Sequence, residues 1–371
     1  MGKKINYRQT FVLLIILISM PVSAQIDYRN SADETLETLQ KWYNEDNGQW
    51  KTTSWWNAAN ALTAIIDYSR ITGSTKYLAV IENTFEQCKE FEVVMPDPKE
   101  NWTCRNFINN YYDDEGWWIL AWIAAYDLIG DQKYLDMAKA TFSDMSNGWD
   151  EVCGGGVYWK KPNIGKSAVQ NELFMLSAIR LHQRSPGQEK GITYLDWAKK
   201  TWRWFEGTGM INENYLVENG LNKNCELNTG RQYTYNQGII LSALVELSIE
   251  TNEPRLFDLA NKIAKAAIDN LIYENGILKD PSEPNVNGDA SQFKGVFMRH
   301  LAYLHYSSPH IIYKEFIEKN ANSIWLNARN EESNEIGAIW KGPFDKADAS
   351  RQSSALDAFN AAIQSDRSGR N

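Results

Sequence analysis

The sequence contains few of the residues from which metal and nucleic-acid sites are built. It has four histidines and four cysteines, and no two cysteines form the Cys-x-x-Cys pattern of many zinc sites. Acidic residues outnumber basic ones, 47 to 38, and the formal net charge is −9. A negative surface disfavours nucleic acids and anionic membranes but tolerates uncharged glycans. We therefore expect no metal, no cofactor and no nucleic-acid partner.

Long apolar runs are also rare, and the one clear example lies near the N-terminus. Residues 11–20 are apolar, basic residues precede them, and Val22-Ser23-Ala24 follows with the small-x-small pattern of a cleavage site. Crossing a bilayer takes about 20 apolar residues, so this segment is typical of a signal peptide, residues 1–24. We predict an exported chain, periplasmic or secreted, that begins at Gln25, does not insert into a membrane and is a monomer.

The four cysteines are Cys88, Cys104, Cys153 and Cys225. An even number of cysteines fits an oxidising compartment, and four of them allow three disulfide pairings. The sequence does not choose among these pairings. Disulfides or buried thiols are expected at these positions rather than a catalytic role.

Most of the chain has the residue periodicity of helices, and a short phrase recurs between successive helical segments. The phrase Gly73-Ser-Thr-Lys-Tyr77-Leu78 returns as Gly130-Asp-Gln-Lys-Tyr134-Leu135 and, one residue shorter, as Gly191-Ile-Thr-Tyr194-Leu195. The copies lie about 60 residues apart, which leaves room for two helices and two connections. A fixed period of this kind predicts a repeat architecture.

Six segments are apolar around most of their circumference and are predicted to be buried helices: Trp55–Tyr68, Asp114–Leu128, Gln170–His182, Tyr235–Ser248, Phe293–Tyr306 and Ser353–Ile363. Six amphipathic partners accompany them: Ala32–Glu45, Lys76–Glu90, Gln132–Ser146, Thr193–Phe205, Arg255–Leu271 and Tyr313–Leu326. We predict an all-α fold, an (α/α)6 barrel of six inner and six outer helices, in a single domain over residues 25–371. The N-terminal helix pairs with the last inner helix and closes the ring.

The connections between helices are unequal in length. Those that carry the repeated phrase are short, whereas those that enter the inner helices are long: 92–112, 147–166, 208–232, 273–291 and 329–349. Long loops gathered at one end of a scaffold are where binding surfaces are built. The functional face is therefore predicted at the N-termini of the inner helices.

Two consecutive aspartates, Asp113 and Asp114, stand at one of these helix starts within the run Tyr111-Tyr-Asp-Asp-Glu-Gly-Trp-Trp118. Aspartate is common at the N-cap and in the first turn of a helix, so capping is one interpretation. Only one aspartate can be the cap, however. Their carboxyl carbons can lie about 5 Å apart, close to the ≈ 5–5.5 Å of retaining glycosidases. Two close carboxyls also separate each other's pKa values and leave one protonated.

Polar and aromatic residues cluster at the other helix starts, at positions 55–57, 170–172, 235–237 and 293–294. The chain has 15 Trp and 18 Tyr. Roughly two in three of the tryptophans are expected to pack in the core, and those beside polar residues at helix starts can stack on sugar rings. Glu172 is interpreted as a structural acid of a first turn rather than a catalytic one. Lys294 either binds a hydroxyl or neutralises the acidic cleft.

Several segments together resemble glycoside hydrolase family 76, the endo-α-1,6-mannanases. The matching segments are Tyr112-Asp113-Asp114-Glu115-Gly116-Trp117-Trp118, Gly154-Gly155-Gly156-Val157-Tyr158-Trp159, Lys166-Ser167-Ala168 before Asn171, Tyr233-Thr234-Tyr235-Asn236-Gln237-Gly238 and Phe293-Lys294-Gly295-Val296-Phe297. Each segment alone is weak evidence for the family. Together, in the same order and at similar spacing, the segments extend over almost the whole mature chain. The family's (α/α)6 barrel agrees with the helix count.

The resemblance implies a retaining hydrolase that cleaves the α-1,6-linked backbone of mannan or manno-oligosaccharides without a metal. Asp113 would be the nucleophile that forms a covalent mannosyl intermediate, and Asp114 the general acid/base. The candidates for substrate binding are Trp56, Asn57, Tyr112, Trp117, Trp159, Asn171, Tyr235, Asn236, Gln237 and Lys294.

Three alternatives stay open at this point. One is another (α/α)6 glycosidase, for example on a uronate-containing glycan, for which Arg105, Arg231 and Arg299 are the available arginines. Another is a transglycosylase like the family's fungal cell-wall members, which the polar tail 365–371 disfavours because it does not resemble a lipid-anchor signal. The third is a non-catalytic mannan-binding protein, which would have no need for two adjacent acids.

Overall fold

The computed structural model describes residues 2, 26–93 and 102–368 and is 60% helical. Within those residues the helices are α1 (Tyr28–Gln40), α2 (Trp55–Thr72), α3 (Leu78–Gln87), α4 (Tyr112–Ile129), α5 (Gln132–Met145), α6 (Ala168–Arg184), α7 (Tyr194–Gly207), α8 (Thr234–Thr251), α9 (Pro254–Asn270), α10 (Phe293–Ser307), α11 (Ile311–Asn327) and α12 (Ala349–Ser368). The predicted signal peptide lies outside the described residues, apart from Gly2, and stays a prediction.

The even-numbered helices form the inner ring. Each inner helix packs against the next inner helix along the chain, and α12 packs against α2, so the ring closes. The odd-numbered helices lie outside: α5, α7 and α9 pack on the inner helices that precede them, α1 packs on α12, and α11 packs on both α10 and α12. In α3, the ring of Phe85 meets the indole of Trp122 in α4 at 5.0 Å. The predicted (α/α)6 barrel, including closure by the N-terminal helix, is confirmed.

Two glycines let three inner helices approach closely. A Cβ atom at Gly238 would lie 2.7 Å from the Cα of Phe297, and one at Gly295 would lie 2.6 Å from the Cα of Ser354. Both distances are shorter than real Cβ contacts, so α8, α10 and α12 pack at a spacing that a larger residue prevents. These glycines directly follow Gln237 and Lys294. The close helix packing explains why glycine occupies these positions in the two segments, 233–238 and 293–297, that resemble the family.

The repeated phrase corresponds to a helix end in two of its three copies. Gly73 and Gly130 are the C-cap residues of α2 and α4, with left-handed φ angles of 74° and 82°. The third copy differs, because α6 already ends at Arg184. Gly191, also at positive φ, lies instead in the turn of a short hairpin before α7. The third copy of the phrase therefore also marks a turn, but this turn belongs to a hairpin and is not the C-cap of a helix.

The strands are short antiparallel pairs located in the connections. β1 (Tyr43–Asn44) pairs with β2 (Gln49–Trp50), β3 (Glu90–Val93) with β4 (Trp102–Arg105), β5 (Lys166–Ser167) with β8 (Gly220–Leu221), and β6 (Gln188–Glu189) with β7 (Ile192–Thr193). The β5–β8 pair joins the loops that enter α6 and α8. These loops therefore form one structured rim at the N-terminal end of the inner helices.

A disulfide joins the same two loops. Cys153 and Cys225 are bonded, whereas Cys88 and Cys104 are free and buried. The Cys153–Cys225 bond belongs to one of the three pairings that the sequence left open, but the other bond of that pairing, Cys88–Cys104, is not formed. The bond connects the loop before α6 to the loop before α8 across 72 residues of chain.

Replacing both Cys153 and Cys225 by serine is expected to lower the free energy of unfolding by about 4 kcal/mol, because the bond closes a long loop in the unfolded chain. Urea unfolding of the variant and of the oxidised wild type measures the difference. The reduced wild type is the control and should unfold with the variant. Equal midpoints for the variant and the oxidised wild type would show that the bond contributes nothing.

Candidate active site

The long loops and the first turns of the inner helices enclose an open cleft of about 1120 Å³. This volume exceeds the ≈ 300–1,000 Å³ of sites for drug-sized ligands. Six of the predicted site residues line the cleft: Trp56, Asp113, Asp114, Trp117, Trp159 and Tyr235. The predicted functional face is thus a groove with the two aspartates in its wall.

Neither aspartate caps its helix. Tyr111 is the N-cap residue of α4, and Asp113 and Asp114 are the second and third helical residues. The side chain of Asn109 organises this helix start: its oxygen accepts the Tyr111 backbone N–H at 2.8 Å, and its amide donates to Asp114 Oδ2 at 2.6 Å. The N-cap interpretation is therefore wrong for both aspartates, although both lie in the first turn.

The two carboxylate oxygens of Asp113 have different surroundings. Oδ2 accepts a hydrogen bond from the indole Nε1–H of Trp159 at 3.0 Å. Oδ1 has no hydrogen-bond partner among the described residues, although it is shielded from solvent. The indole therefore fixes one oxygen, and no described group fixes the other.

Burial raises the pKa of both carboxyls. For Asp113 the Trp159 indole and the backbone N–H groups at the helix start stabilise the charged form, so the rise stops at about 7. The negative charge of Asp113 raises the pKa of Asp114 further than burial alone does. As pH increases, Asp113 therefore ionises first, and Asp114 keeps its proton beside the ionised partner.

An aromatic wall extends from the aspartates along the cleft. The ring of Trp56 stacks on Trp117 at 5.6 Å and on Phe293 at 6.0 Å, and Phe293 stacks on Tyr235 at 4.0 Å. The Trp56 indole also donates to the carboxylate of Asp289 at 2.9 Å. Flat rings beside hydrogen-bonding oxygens suit a ligand with both C–H faces and hydroxyls, as a sugar has.

Three predicted binding residues hold loops instead of lining the cleft. The amide of Asn171 bonds both the N–H and the C=O of Val157, and that of Gln237 bonds both groups of Val217 in the same way. Asn57 donates to Gln292 at 2.6 Å. All three amides are fully buried. Their hydrogen bonds are used within the protein, so they position the rim and do not face a ligand.

Tyr112, Asn236 and Lys294 also lie behind the cleft wall. The ring of Tyr112 packs beneath the ammonium of Lys161, 4.7 Å from its centroid. Lys294 forms an ion pair with the buried Glu283 at 2.7 Å and donates to a loop carbonyl. It therefore neutralises a buried acid and not the catalytic cleft. Asn236 is fully buried.

The structure adds cleft residues that the sequence did not single out as binding residues. They are Tyr111, Asn219, Tyr233, Asn285, Asn287, Asp289 and Phe293, most of them on the loops. Tyr111, Tyr233 and Phe293 stand beside or within the aromatic segments quoted above, which is the signal that could have found them. Arg231 also lines the cleft and donates to the Tyr233 hydroxyl at 3.0 Å. Arg299 is instead paired with Asp357 inside the barrel.

Two further observations concern metals and membranes. Across residues 26–93 and 102–368, no three His, Cys, Asp or Glu side chains are grouped closely enough to hold a metal ion. In the same residues, no helix combines the length and the apolar character of a membrane span.

Relatives of known name are similar to this chain in sequence. The chain is 26% identical over 295 residues to mannan endo-1,6-α-mannosidase DCW1 of Saccharomyces cerevisiae, which covers 74% of this chain and 61% of that protein. Against DCW1 of Candida albicans it is 26% identical over 269 residues, 67% of this chain and 57% of the relative. The chain thus spans less than two thirds of the length of these relatives.

Solved structures superpose over most of the chain. The GH76A α-1,6-mannanase of Salegentibacter sp. HEL1_6 is 25% identical with a TM-score of 0.79, covering 91% of this chain and 99% of that one. An inactive variant of the same enzyme, with two consecutive aspartates replaced, was solved with α-1,6-mannotriose at a TM-score of 0.79, 24% identity and the same coverage. Residues 27–370 match the family described as glycosyl hydrolase family 76. The chain belongs to glycosyl hydrolase family 76.

Proposed function

We propose that this protein is a retaining, endo-acting hydrolase of the α-1,6-linked mannan backbone. The observation that carries the proposal is the pair of consecutive carboxyls in the cleft wall: one has an oxygen without a partner among the described residues, and burial and the charge of its neighbour raise the pKa of the other. Residues 113–114 are the only Asp-Asp pair in the chain. The inactive Salegentibacter mannanase likewise carries replacements at two consecutive aspartates, which supports these roles.

The two aspartates have separate tasks in this mechanism. The glycosidic oxygen takes the proton of Asp114 while the Asp113 carboxylate attacks the anomeric carbon, giving a mannosyl ester and a free sugar chain. Asp114, now ionised, then removes a proton from water, which hydrolyses the ester and restores both groups. The Trp159 N–H on Oδ2 and the helix N–H groups favour the ionised form of Asp113 while Asp114 is still protonated.

The shape of the cleft supports internal cleavage. It is open, its volume of about 1120 Å³ exceeds that of a typical site for one small molecule, and the aromatic wall continues past the aspartates toward Tyr235 and Tyr233. A polysaccharide can lie along such a groove with sugars on both sides of the cleaved bond. The α-1,6-mannotriose bound by the Salegentibacter enzyme indicates the linkage. We also propose that the protein is exported, on the basis of the predicted signal peptide.

A digest of linear α-1,6-mannan tests the proposal. We expect a ladder of oligosaccharides at early times, with the α anomer formed first in NMR spectra of the products. Mannose alone from the start would indicate an exo enzyme, and β product formed first would exclude retention. Binding without any cleavage would favour the mannan-binding alternative.

Replacing Trp159 by phenylalanine is expected to lower kcat by about 10- to 100-fold, because the ring is kept but the N–H on Asp113 is lost. That N–H lowers the pKa of Asp113, so its loss raises this pKa and moves the acidic limb of the kcat–pH profile to higher pH. Trp149→Phe is the matched control, since its indole donates to Glu151 outside the cleft. An unmoved acidic limb in the Trp159 variant would contradict the assigned role.

A further inference from the structure

Asn109 makes three hydrogen bonds before the start of α4, and one of them reaches the acid/base carboxyl. Its side-chain oxygen accepts the backbone N–H of Tyr111 at 2.8 Å, and its amide donates to Asp114 Oδ2 at 2.6 Å. Its backbone carbonyl accepts from the Lys161 ammonium at 2.8 Å. Asn109 is only 4% exposed, so these partners take the place of water. Both ends of the amide are therefore used within the protein.

The two ends of this amide cannot be exchanged. The Tyr111 N–H can only donate, so it faces the side-chain oxygen of Asn109, and the NH2 group then faces Asp114. The backbone behind the amide is also held, because Lys161 binds the carbonyl of Asn109 and, at 2.7 Å, the carboxylate of Glu115. The NH2 group is therefore presented to Asp114 Oδ2 in a fixed direction.

This donor distinguishes the two oxygens of the Asp114 carboxyl. A protonated carboxyl has one O–H oxygen and one carbonyl oxygen, and the carbonyl oxygen is the better acceptor. Oδ2 faces the Asn109 N–H at 2.6 Å, which favours the carbonyl form at Oδ2 and places the proton on Oδ1. Asp114 lines the cleft, where transfer to a bound sugar needs the proton on one defined atom.

We propose that Asn109 is a positioning residue that confines the acidic proton of Asp114 to Oδ1, the oxygen that the amide does not bind, for transfer to the glycosidic oxygen. This role rests on the proposed function, because it belongs to the same reaction. When the proton leaves, the same N–H stabilises the negative charge that develops on the carboxylate. Asn109 thus acts through Asp114 and not on the substrate.

Two variants separate this role from support of the helix start. Asn109→Ser keeps an oxygen that can accept the Tyr111 N–H but is too short to reach Asp114, whereas Asn109→Ala loses both contacts. On linear α-1,6-mannan we expect kcat/KM to fall about tenfold in both variants. An aryl α-manno-oligosaccharide whose leaving group is an acidic phenol needs little protonation. On this substrate, kcat/KM of the Ser variant should stay within about threefold of the wild type.

The pH profile on mannan provides a second readout. Burial raises the pKa of Asp114, the charges of Asp113 and Asp289 raise it further, and the Asn109 N–H opposes the rise. Burial and both charges are kept in the Ser variant, so loss of the N–H raises the pKa of Asp114. Activity requires the protonated form of Asp114, and the basic limb of the kcat/KM–pH profile should therefore move to higher pH.

Asn222→Ser is the matched control. The exposed Asn222 side chain combines the same two kinds of bond, because it accepts the N–H of Asn224 at 2.8 Å and donates to the Glu226 carboxylate at 3.0 Å. We expect this control to change neither readout. Wild-type activity on mannan in Asn109→Ser, beside a loss in Asn109→Ala, would reduce Asn109 to support of the helix start and overturn the proposal. Equal losses on both substrates would overturn it as well.

Neutron diffraction from the wild type at pH 5, after exchange into heavy water, locates the proton without reference to activity. We expect deuterium on Asp114 Oδ1 and on the Asn109 nitrogen that faces Oδ2. Deuterium on Oδ2 would refute the role of Asn109, whatever the activity. A wild type that shows the expected deuterium positions but does not cleave mannan would refute the proposed function alone.

Discussion

Asp113→Asn and Asp114→Asn are each expected to reduce kcat/KM on linear α-1,6-mannan by on the order of 10⁴-fold, the largest effects predicted for this chain. Asparagine at position 113 removes the nucleophile, but its side-chain oxygen can still accept a hydrogen bond from the Trp159 N–H. At 114 it removes the proton donor and can still accept from Asn109. Release of reducing ends measures the loss. Full activity in either variant would exclude the assignment.

Substrates with different leaving groups separate the two roles. An aryl α-manno-oligosaccharide whose leaving group is an acidic phenol needs little protonation, so the Asp114→Ala variant should still form the mannosyl ester from this substrate. Azide should then accelerate turnover of that variant, because it attacks the ester in place of the activated water. Asp113→Ala has no nucleophile, so neither change should restore it to a retaining reaction. The reverse pattern would exchange the assigned roles.

Thermal unfolding is the control for folding in these variants. Because the folded protein raises the pKa of Asp113 and Asp114, it binds their protons more tightly than the unfolded chain does. The two groups therefore favour folding at low pH, and this contribution is lost as pH rises through the folded-state pKa values. The neutral asparagine variants should be at least as stable as the wild type at pH 7, with an advantage that grows with pH. A lower melting temperature in both would indicate structural damage.

The barrel could be predicted from sequence because its causes are local. Apolar residues around the circumference of α2, α4 and α8 indicate inner helices, and a repeat of two helices leaves few ways to arrange them. The aspartates at 113 and 114 were identifiable for the same reason, since a helix start on the loop-rich face places them near the cleft. The single domain, the monomer and the leader peptide remain predictions.

The direction of individual side chains was not predictable in the same way. Successive residues on a helix point about 100° apart, so Tyr235 lines the cleft while Gln237 holds a loop. Sequence placed both at the start of α8 and assigned both to the substrate. The pairing of Cys153 with Cys225 likewise depends on which loops meet at the rim, and the sequence contains no local signal for that.

The largest loss of stability from a single substitution is expected for Lys161→Met. The Lys161 ammonium binds Glu115 at 2.7 Å and the Asn109 carbonyl at 2.8 Å, and it also pairs with Asp144. The side chain of Glu115 is completely buried. Removing one partner of a buried ion pair leaves an uncompensated charge, which costs about 3–5 kcal/mol. Lys139→Met, at a surface pair with Asp136, should change stability by about 1 kcal/mol or less.

The pH dependence of this loss identifies its cause. Burial raises the pKa of Glu115, and Lys161 lowers it, so the pKa rises further in the variant. Protonation of Glu115 then relieves the damage at low pH, and urea unfolding should show a larger deficit at pH 8 than at pH 5. Adding Glu115→Gln should recover most of the loss at pH 8. A deficit independent of pH would mean that the aliphatic stem of Lys161, and not its charge, stabilises the loop that carries Trp159.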